Sequence, residues 1–389
     1  MVADPVPPFS LAVLTAVTDV PAAAWNALVD DDDPFLEHAF LSALERSGSV
    51  GPGTGWAPRI LVAHQGDHLV GAVPLYEKDD SMGEFIWDFA WAQGAHHARI
   101  PYYPKLVAAI PFTPAGSHRF LVHPQTARAT IVPLLIQGLR QVADELGAQS
   151  IHVLFCRPEE VGELEAAGFV ARASYQHHWS NRQPIAYRDF DDYLATFRSR
   201  IRKQIRHERE TVAGHNLRIV TARGDDLDDQ AWAALDRCYR ATNDQYGNVA
   251  SLTPEFFPAI RRTHAHRLLA VLAYAGTTPI AATTNFLRGD HLYGRYWGCD
   301  KPVPLLHFEL CFYRLLDYAI AHGLRTFEGG AGGEQKLKRG LLPHRTYSAH
   351  WIRHPGLFRA VANFIDLEAN AVAERIAIEL NHSPFALPG

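Results

Sequence analysis

The chain repeats itself, and that repetition limits what it can fold into. Residues 60–86 and 270–296 align at an offset of 210 residues without a gap, so that Val70 falls on Ile280 and Ala72 on Ala282. Each stretch reads as an apolar strand, a tight turn containing Gly66 or Gly276, and a second strand. A polar turn with Asp79–Asp80 or Asp290 follows, and then a third strand. A second match comes at an offset of 176. Ile131 to Leu146 and Phe308 to His322 carry amphipathic helix patterns, stop at Gly147 and Gly323, and lead into the strands SIHVLF (150–155) and RTFEG (325–329). The first copy therefore holds 34 extra residues between its third strand and its helix, including the aromatic tract FAWAQGAHHARIPYYPKLVAAIPFTP. A short helix, PEEVGELEAAGF, and a strand around ARASYQHHW close that copy. The pattern predicts a duplicated α+β unit. A boundary between residues 182 and 191 gives domains 1–185 and 186–389, a division that suits 389 residues.

Two further helices are predicted outside the repeats. Residues 191–213 carry an apolar stripe of Leu194, Phe197, Ile201, Ile205 and Val212, with Arg198, Arg202, Arg206 and Arg209 on a neighbouring face. Residues 357–381 are amphipathic.

Composition narrows the function classes. Apolar residues make up 47% of the chain and charged residues 20%, enough for each half to bury a core. A net charge of −5 argues against a protein that coats nucleic acid over its whole surface. The four cysteines, Cys156, Cys238, Cys299 and Cys311, form no C-x-x-C pair and suit a reducing cytosol. The start, MVADPVPPFSLAV, lacks the basic and apolar regions of a signal peptide, and no apolar run is long enough to span a membrane. A cytoplasmic location is the expectation. The twenty-one histidines include the doublets His96-His97 and His177-His178, whose members point to opposite faces of a strand. With no H-E-x-x-H spacing, no metal site is expected.

The segments PFLEHAFLSALERSG, YYPKL, PFTP, FRSRIRKQIRHERE, YGRYWGC, HFELCFY and GGAGGEQKLKRG resemble a bacterial family of FemAB-like proteins, known for peptidoglycan biosynthesis or recognition. The resemblance covers about residues 20–370. It implies tandem duplicated GNAT-like (acyl-CoA N-acyltransferase) domains, with central mixed sheets flanked by helices. It also implies an N-acyltransferase distantly similar to Fem-type enzymes, which move an amino acid from aminoacyl-tRNA to an amine of a peptidoglycan precursor. The partners it implies are an activated acyl donor and an amine acceptor, with no cofactor. Where the family's common pattern has Gln-Gly-Glu-His, this chain has Gly332-Gly333-Glu334-Gln335, which withholds from residue 335 an imidazole's chemistry.

The residues themselves point to acyl transfer without a covalent intermediate, since no G-x-S-x-G and no paired cysteine and histidine occur. The tetrahedral oxyanion needs a fixed cation or N–H donor. The glycine-rich run from Glu328 to Gly340 offers Lys336 and Lys338, with Gly332, Gly333 and Arg339 beside them. The acceptor amine needs a base, for which His307, Glu309 and Glu328 are the candidates. Arg295 and Trp297, on the aromatic strand, and Tyr102, Tyr103 and Lys105, in the inserted tract, are candidate pocket walls. Arg198, Arg202 and Arg206 are candidate contacts to a donor's phosphates. Neither copy carries the R/Q-x-x-G-x-G/A loop of acetyl-CoA users, which favours aminoacyl-tRNA as donor. The alternatives are an acyl-CoA or carrier-protein-dependent N-acyltransferase and a non-catalytic binder of cell-wall precursors.

Overall fold

A computed structural model describes residues 8–30 and 32–386, apart from the side chain of Glu334. The first seven residues, on which the expectation about a signal peptide partly rests, therefore lie outside the described residues. The chain forms two compact units that interleave along the sequence. The first takes the residues up to Ser174 and then Arg345–Ala373; the second takes Tyr175–His344 and the residues from Glu374 onward.

In the first unit the strands are β1 (Phe9–Leu14), β2 (Ala57–Pro58), β3 (Ile60–Gln65), β4 (His68–Val73), β5 (Leu75–Lys78), β6 (Lys105–Ala108), β7 (Leu121–Val122) and β8 (Ser150–Cys156). An antiparallel sheet has the order β1-β3-β4-β7, and a second, mixed sheet contains the run β2-β5-β6-β8. The helix Arg128–Glu145 connects to β8, which lies parallel to β6. Ile131, Leu135, Leu139 and Val142 of that helix are buried in a core shared with Leu61, Val73, Leu106 and Ile151.

Strand β9 (Val170–Ser180) carries the chain from the first unit into the second. There β10 (Arg218–Arg223), β11 (Leu268–Ala275), β12 (Thr278–Arg288), β13 (His291–Cys299) and β14 (Thr326–Glu328) follow in sheet order, with the end of β9 beyond β14. β10 to β13 are antiparallel neighbours, and a helix from Leu306 to Ala321 leads to β14, parallel to β13. The chain then returns to the first unit in β15 (Leu342–Ile352), whose residues from Tyr347 pair antiparallel with β8.

The duplication is visible down to single bonds. The hairpins β3–β4 and β11–β12 both turn through two residues, and both carry a register shift, at Ala63/His64 and Ala273/Tyr274, again 210 residues apart. The two long helices end alike. Gly147 and Gly323 take φ of 64° and 63°, and the next amides, of Ala148 and Leu324, each reach back to a carbonyl five residues earlier at 2.8 Å. Both units are thus mixed-sheet α+β layers of one pattern, the tandem GNAT-like architecture expected.

Three local expectations need correction. The third strand of the first copy does not lie at 81–86, which is irregular; it is β6. Pro74 lacks the N–H that a continuous ladder needs, so the second strand breaks there and its halves enter different sheets. The extra residues therefore fall between β5 and β6, not after the third strand. The helix expected over 191–213 is two helices, Phe190–Ala195 and Ser199–Ala213. It breaks where Phe197 is buried and the backbone pairs with the C-terminal segment, Arg198 N to Pro384 O at 2.9 Å and Ala386 N to Thr196 O at 2.8 Å.

The helix Asp229–Gln245 covers β12 and β13 at very close range. A Cβ on Gly298 would sit 1.7 Å from the backbone oxygen of Cys238. Backbone cannot yield as a side chain does, so Gly298→Ala should destabilise the second unit by about 3 kcal/mol or more. Urea unfolding followed by tryptophan fluorescence checks this; an unchanged midpoint would show that the helix has room to shift.

Candidate functional site

The site is built where β13 and β14 part. They pair only at His291↔Thr326, Leu292↔Phe327 and Tyr293↔Glu328. On its other edge, β13 places Gly294 opposite Asn285 and Tyr296 opposite Thr284, so Arg295 is the extra residue of a β-bulge. A bulge bends its strand and re-aims a side chain. Beyond it, a cavity of about 400 Å³ lies within the second unit, with Gly294 to Trp297 on one side and the glycine-rich loop from Gly329 on the other. The helix after β13 closes it with Phe308, Cys311 and Phe312. Its middle, Glu309–Tyr313, is a π turn, a widening that is frequent at functional sites.

Lys336 is the most constrained cation of this wall. It lies on the 3-10 turn Glu334–Arg339, is 6% exposed, and donates to Gly330 O at 2.6 Å and Ala331 O at 3.2 Å. Gly330, Gly332 and Gly333 all have positive φ, so the loop wraps the ammonium with its own carbonyls. Burial, aided by the cation of Arg295, lowers the pKa of Lys336 to about 8. His307 also lines the cavity. Its ring packs edge-on to Trp297 and Phe312 and keeps an exposed edge at the opening. Burial, with Arg339 and Lys336 nearby, lowers its pKa to about 4, so the imidazole is neutral at pH 7.

The residues singled out in the sequence separate into groups. Lys336, His307, Arg295, Trp297, Gly332 and Gly333 meet at this cavity. Lys338 is exposed and outside the lining. Arg339 is turned away from the lining: it is buried, bonds Glu208 at 2.7 Å and lies 3.5 Å over the ring of Phe308. Glu309 is buried, accepts from Arg209 and Arg314, and does not line the cavity. Glu328 ends β14 with its carboxylate 3.8 Å from His178, also outside the lining.

Tyr102, Tyr103 and Lys105 belong to the first unit and to a different arrangement. Lys105 is fully buried and bonds Asp88 at 2.6 Å, Glu84 at 2.9 Å and Ser81 at 2.8 Å. Tyr102 donates to Asp88 at 2.6 Å, and the Tyr103 hydroxyl bonds Ser81. Arg198 and Arg206 are exposed; Arg202 is half-buried, with a bond to the carbonyl of Ala195 at 3.3 Å.

Sequence reading missed Asn285, Phe308, Phe312 and Phe327 of the lining, and Glu208 behind it. The signal for the aromatics was their place beside His307 and Glu328; nothing local marked Asn285 as different from any strand polar residue.

Two known proteins share the fold. The C-terminal domain of a putative lysylphosphatidylglycerol synthetase from Agrobacterium fabrum matches 90% of this chain and 96% of its own, at 11% identity and a TM-score of 0.54. FemX matches 88% of this chain and 98% of its own, at 12% identity and a TM-score of 0.54. A tandem GNAT protein from the clavulanic acid biosynthesis pathway aligns over 90% of this chain and 99% of its own, at 14% identity and a TM-score of 0.43. No curated protein matches the sequence. Among the described residues no helix is long and apolar enough to cross a membrane. The model of the FemAB-like family, described as peptidoglycan biosynthesis/recognition, matches residues 16–387, and the chain belongs to that family.

Proposed function

We propose that this protein is an N-acyltransferase of the Fem-like kind, joining an activated acyl group, best read as an aminoacyl-tRNA ester, to an amine by direct attack. The observation that carries the reading is the Lys336 ammonium, held by Gly330 and Ala331 carbonyls at the wall of a cavity opened by the Arg295 bulge. Among the described residues two of its hydrogens are engaged, and the third serves an oxyanion. The amine nitrogen attacks the donor's carbonyl carbon, and the carbonyl oxygen takes up charge that Lys336 stabilises. Collapse breaks the bond to the leaving oxygen, which takes the proton that the amine gives up. Neutral His307 is a weak base and serves as the relay for that proton. The family's peptidoglycan description supports a cell-wall precursor as acceptor.

Lys336 acts in its charged form and His307 in its neutral form. Divided by the fraction of acceptor amine that is unprotonated, the rate should therefore fall as pH rises through about 8, where Lys336 loses its proton. It should also fall as pH drops through about 4, where His307 gains one. Single-turnover rates with pre-charged tRNA and a peptidoglycan-precursor peptide, read by mass spectrometry of the amide, test both. Amide formed from acyl-CoA but from no aminoacyl-tRNA would replace the donor assigned here.

A further inference from the structure

Lys336 sits on a turn with little stiffness of its own. The 3-10 turn Glu334–Arg339 lies between Gly333 and Gly340, both at positive φ. Such turns have poor hydrogen-bond geometry and rarely run on for more than a few residues. Lys336 N reaches Gly333 O only at 3.2 Å, and Leu341 N reaches Lys336 O at 3.2 Å. Beyond the bonds of the Lys336 ammonium, what holds the turn converges on Arg339.

Arg339 is held at both ends. Its carbonyl accepts from the Tyr193 hydroxyl at 3.0 Å. One arm of its buried guanidinium, Nη2, bonds Glu208 at 2.7 Å. The other, Nη1, donates at 2.8 Å to Gln335 O, the carbonyl immediately before Lys336. Glu208 is itself fixed, by Gln204 Nε2 at 2.8 Å and by the hydroxyl of Tyr313. Tyr313 ends the π turn whose Cys311 and Phe312 line the cavity, and Arg209, beside Glu208, donates to Glu309 at the start of that turn. One turn of the helix Ser199–Ala213 thus grips both the π turn and the turn that carries Lys336. A buried ion pair adds little stability over packed apolar side chains, so its effect here is direction. A planar guanidinium fork can hold a carboxylate and a carbonyl at once in fixed geometry, which an ammonium on a flexible stem does not.

We propose that Arg339, oriented by Glu208, is a positioning residue for Lys336: its fork fixes the Gln335 carbonyl, and with it the backbone from which the Lys336 ammonium reaches the cavity wall. This rests on the reading of the cavity as the acyl-transfer site. Arg339→Lys keeps a cation beside Glu208 and removes the fork. Glu208→Asp keeps the carboxylate but stops one methylene short. In both, the turn loosens and the Lys336 ammonium gains water. Arg295, Tyr296, His307 and Cys311, the titratable residues that line the cavity with Lys336, are unchanged in both variants.

The test is competitive acetylation of the full chain by acetic anhydride across pH, with Lys336 read by mass spectrometry and the exposed Lys338 as internal reference. In the wild-type chain Lys336 should titrate at about 8. In each variant its midpoint should rise by at least about one pH unit, towards the ~10.4 of a hydrated lysine, and the single-turnover rate should fall at least about tenfold. A pair that serves only the fold would lower the unfolding midpoint and leave Lys336 titrating where it did. An unmoved Lys336 midpoint in Arg339→Lys overturns the proposal. If that variant does not fold, Glu208→Asp decides in the same way, and failure of both to fold overturns it too. An unmoved midpoint in a chain that forms amide would sink this inference and spare the acyl-transfer reading. A raised midpoint in a chain whose wild type forms no amide would do the reverse.

Discussion

Replacing Lys336 with methionine is expected to slow amide formation by about 10²- to 10³-fold, the loss seen when a fixed oxyanion donor is removed. Methionine keeps most of the stem that packs against Gly333 and deletes only the ammonium. That ammonium bonds two loop carbonyls beside an open cavity, where water can replace it. The unfolding midpoint should therefore move by no more than a few degrees. Lys338→Met is the internal control, because Lys338 is exposed on the same turn and should retain full activity. A Lys336→Met protein within threefold of wild type would remove Lys336 from the chemistry. Equal losses in both variants would point to the turn's general charge.

The largest stability effect is expected at a lysine that sequence reading had placed in a pocket wall. Lys105→Met should cost about 3–5 kcal/mol, because it leaves the Asp88 carboxylate buried without its cation and Glu84 with only Lys78, 3.9 Å away. Although burial works against charge on Lys105, those two carboxylates hold its pKa above the ordinary value. Burial likewise opposes charge on Asp88, yet Lys105 brings its pKa down to about 2. The Lys105–Asp88 pair is therefore ionic at neutral pH, whereas burial lifts the pKa of Glu84 to about 7 and leaves it partly protonated there, so truncating Lys105 exposes above all the desolvation penalty of Asp88. Urea unfolding of Lys105→Met, read against Lys105→Met with Asp88→Asn, measures it. The second change should restore part of the loss; a single-variant cost under 1 kcal/mol would show that the carboxylates simply take up protons.

These two lysines mark what the sequence could and could not convey. Hairpin glycines, helix-stopping glycines and the amphipathic helix patterns are local signals, and they located both copies of the repeated unit. The glycine run before Lys336 likewise announced a loop that must wrap something. What local pattern could not convey was direction. Lys105 and Lys336 each stand near tyrosines or glycines, yet one is enclosed by Glu84 and Asp88, which are distant in sequence, and the other faces a cavity. Arg339 was legible as a cation but not as the partner of Glu208, 131 residues earlier. The bulge that exposes Arg295 depends on how two strands register, and Asn285 gains its meaning only from that register. Pro74 was a visible signal, but its consequence, two sheets sharing one broken strand, required the pairing partners of β4 and β5.

The interleaving of the units also bears on how the chain is made. On the ribosome the first unit's residues up to Ser174 emerge long before β15, whose residues Tyr347–Ile352 complete the hydrogen bonding of β8. Until then β8 presents a bare edge of apolar residues, Ile151, Val153 and Leu154, open to wrong partners. The second unit's sheet, by contrast, is nearly all encoded between Tyr175 and His344 and can close as it emerges. Vectorial synthesis therefore favours an order in which the N-terminal unit cannot close until the second unit's strands have emerged, and a nascent chain arrested before Arg345 would depend on chaperones to keep its early half from aggregating.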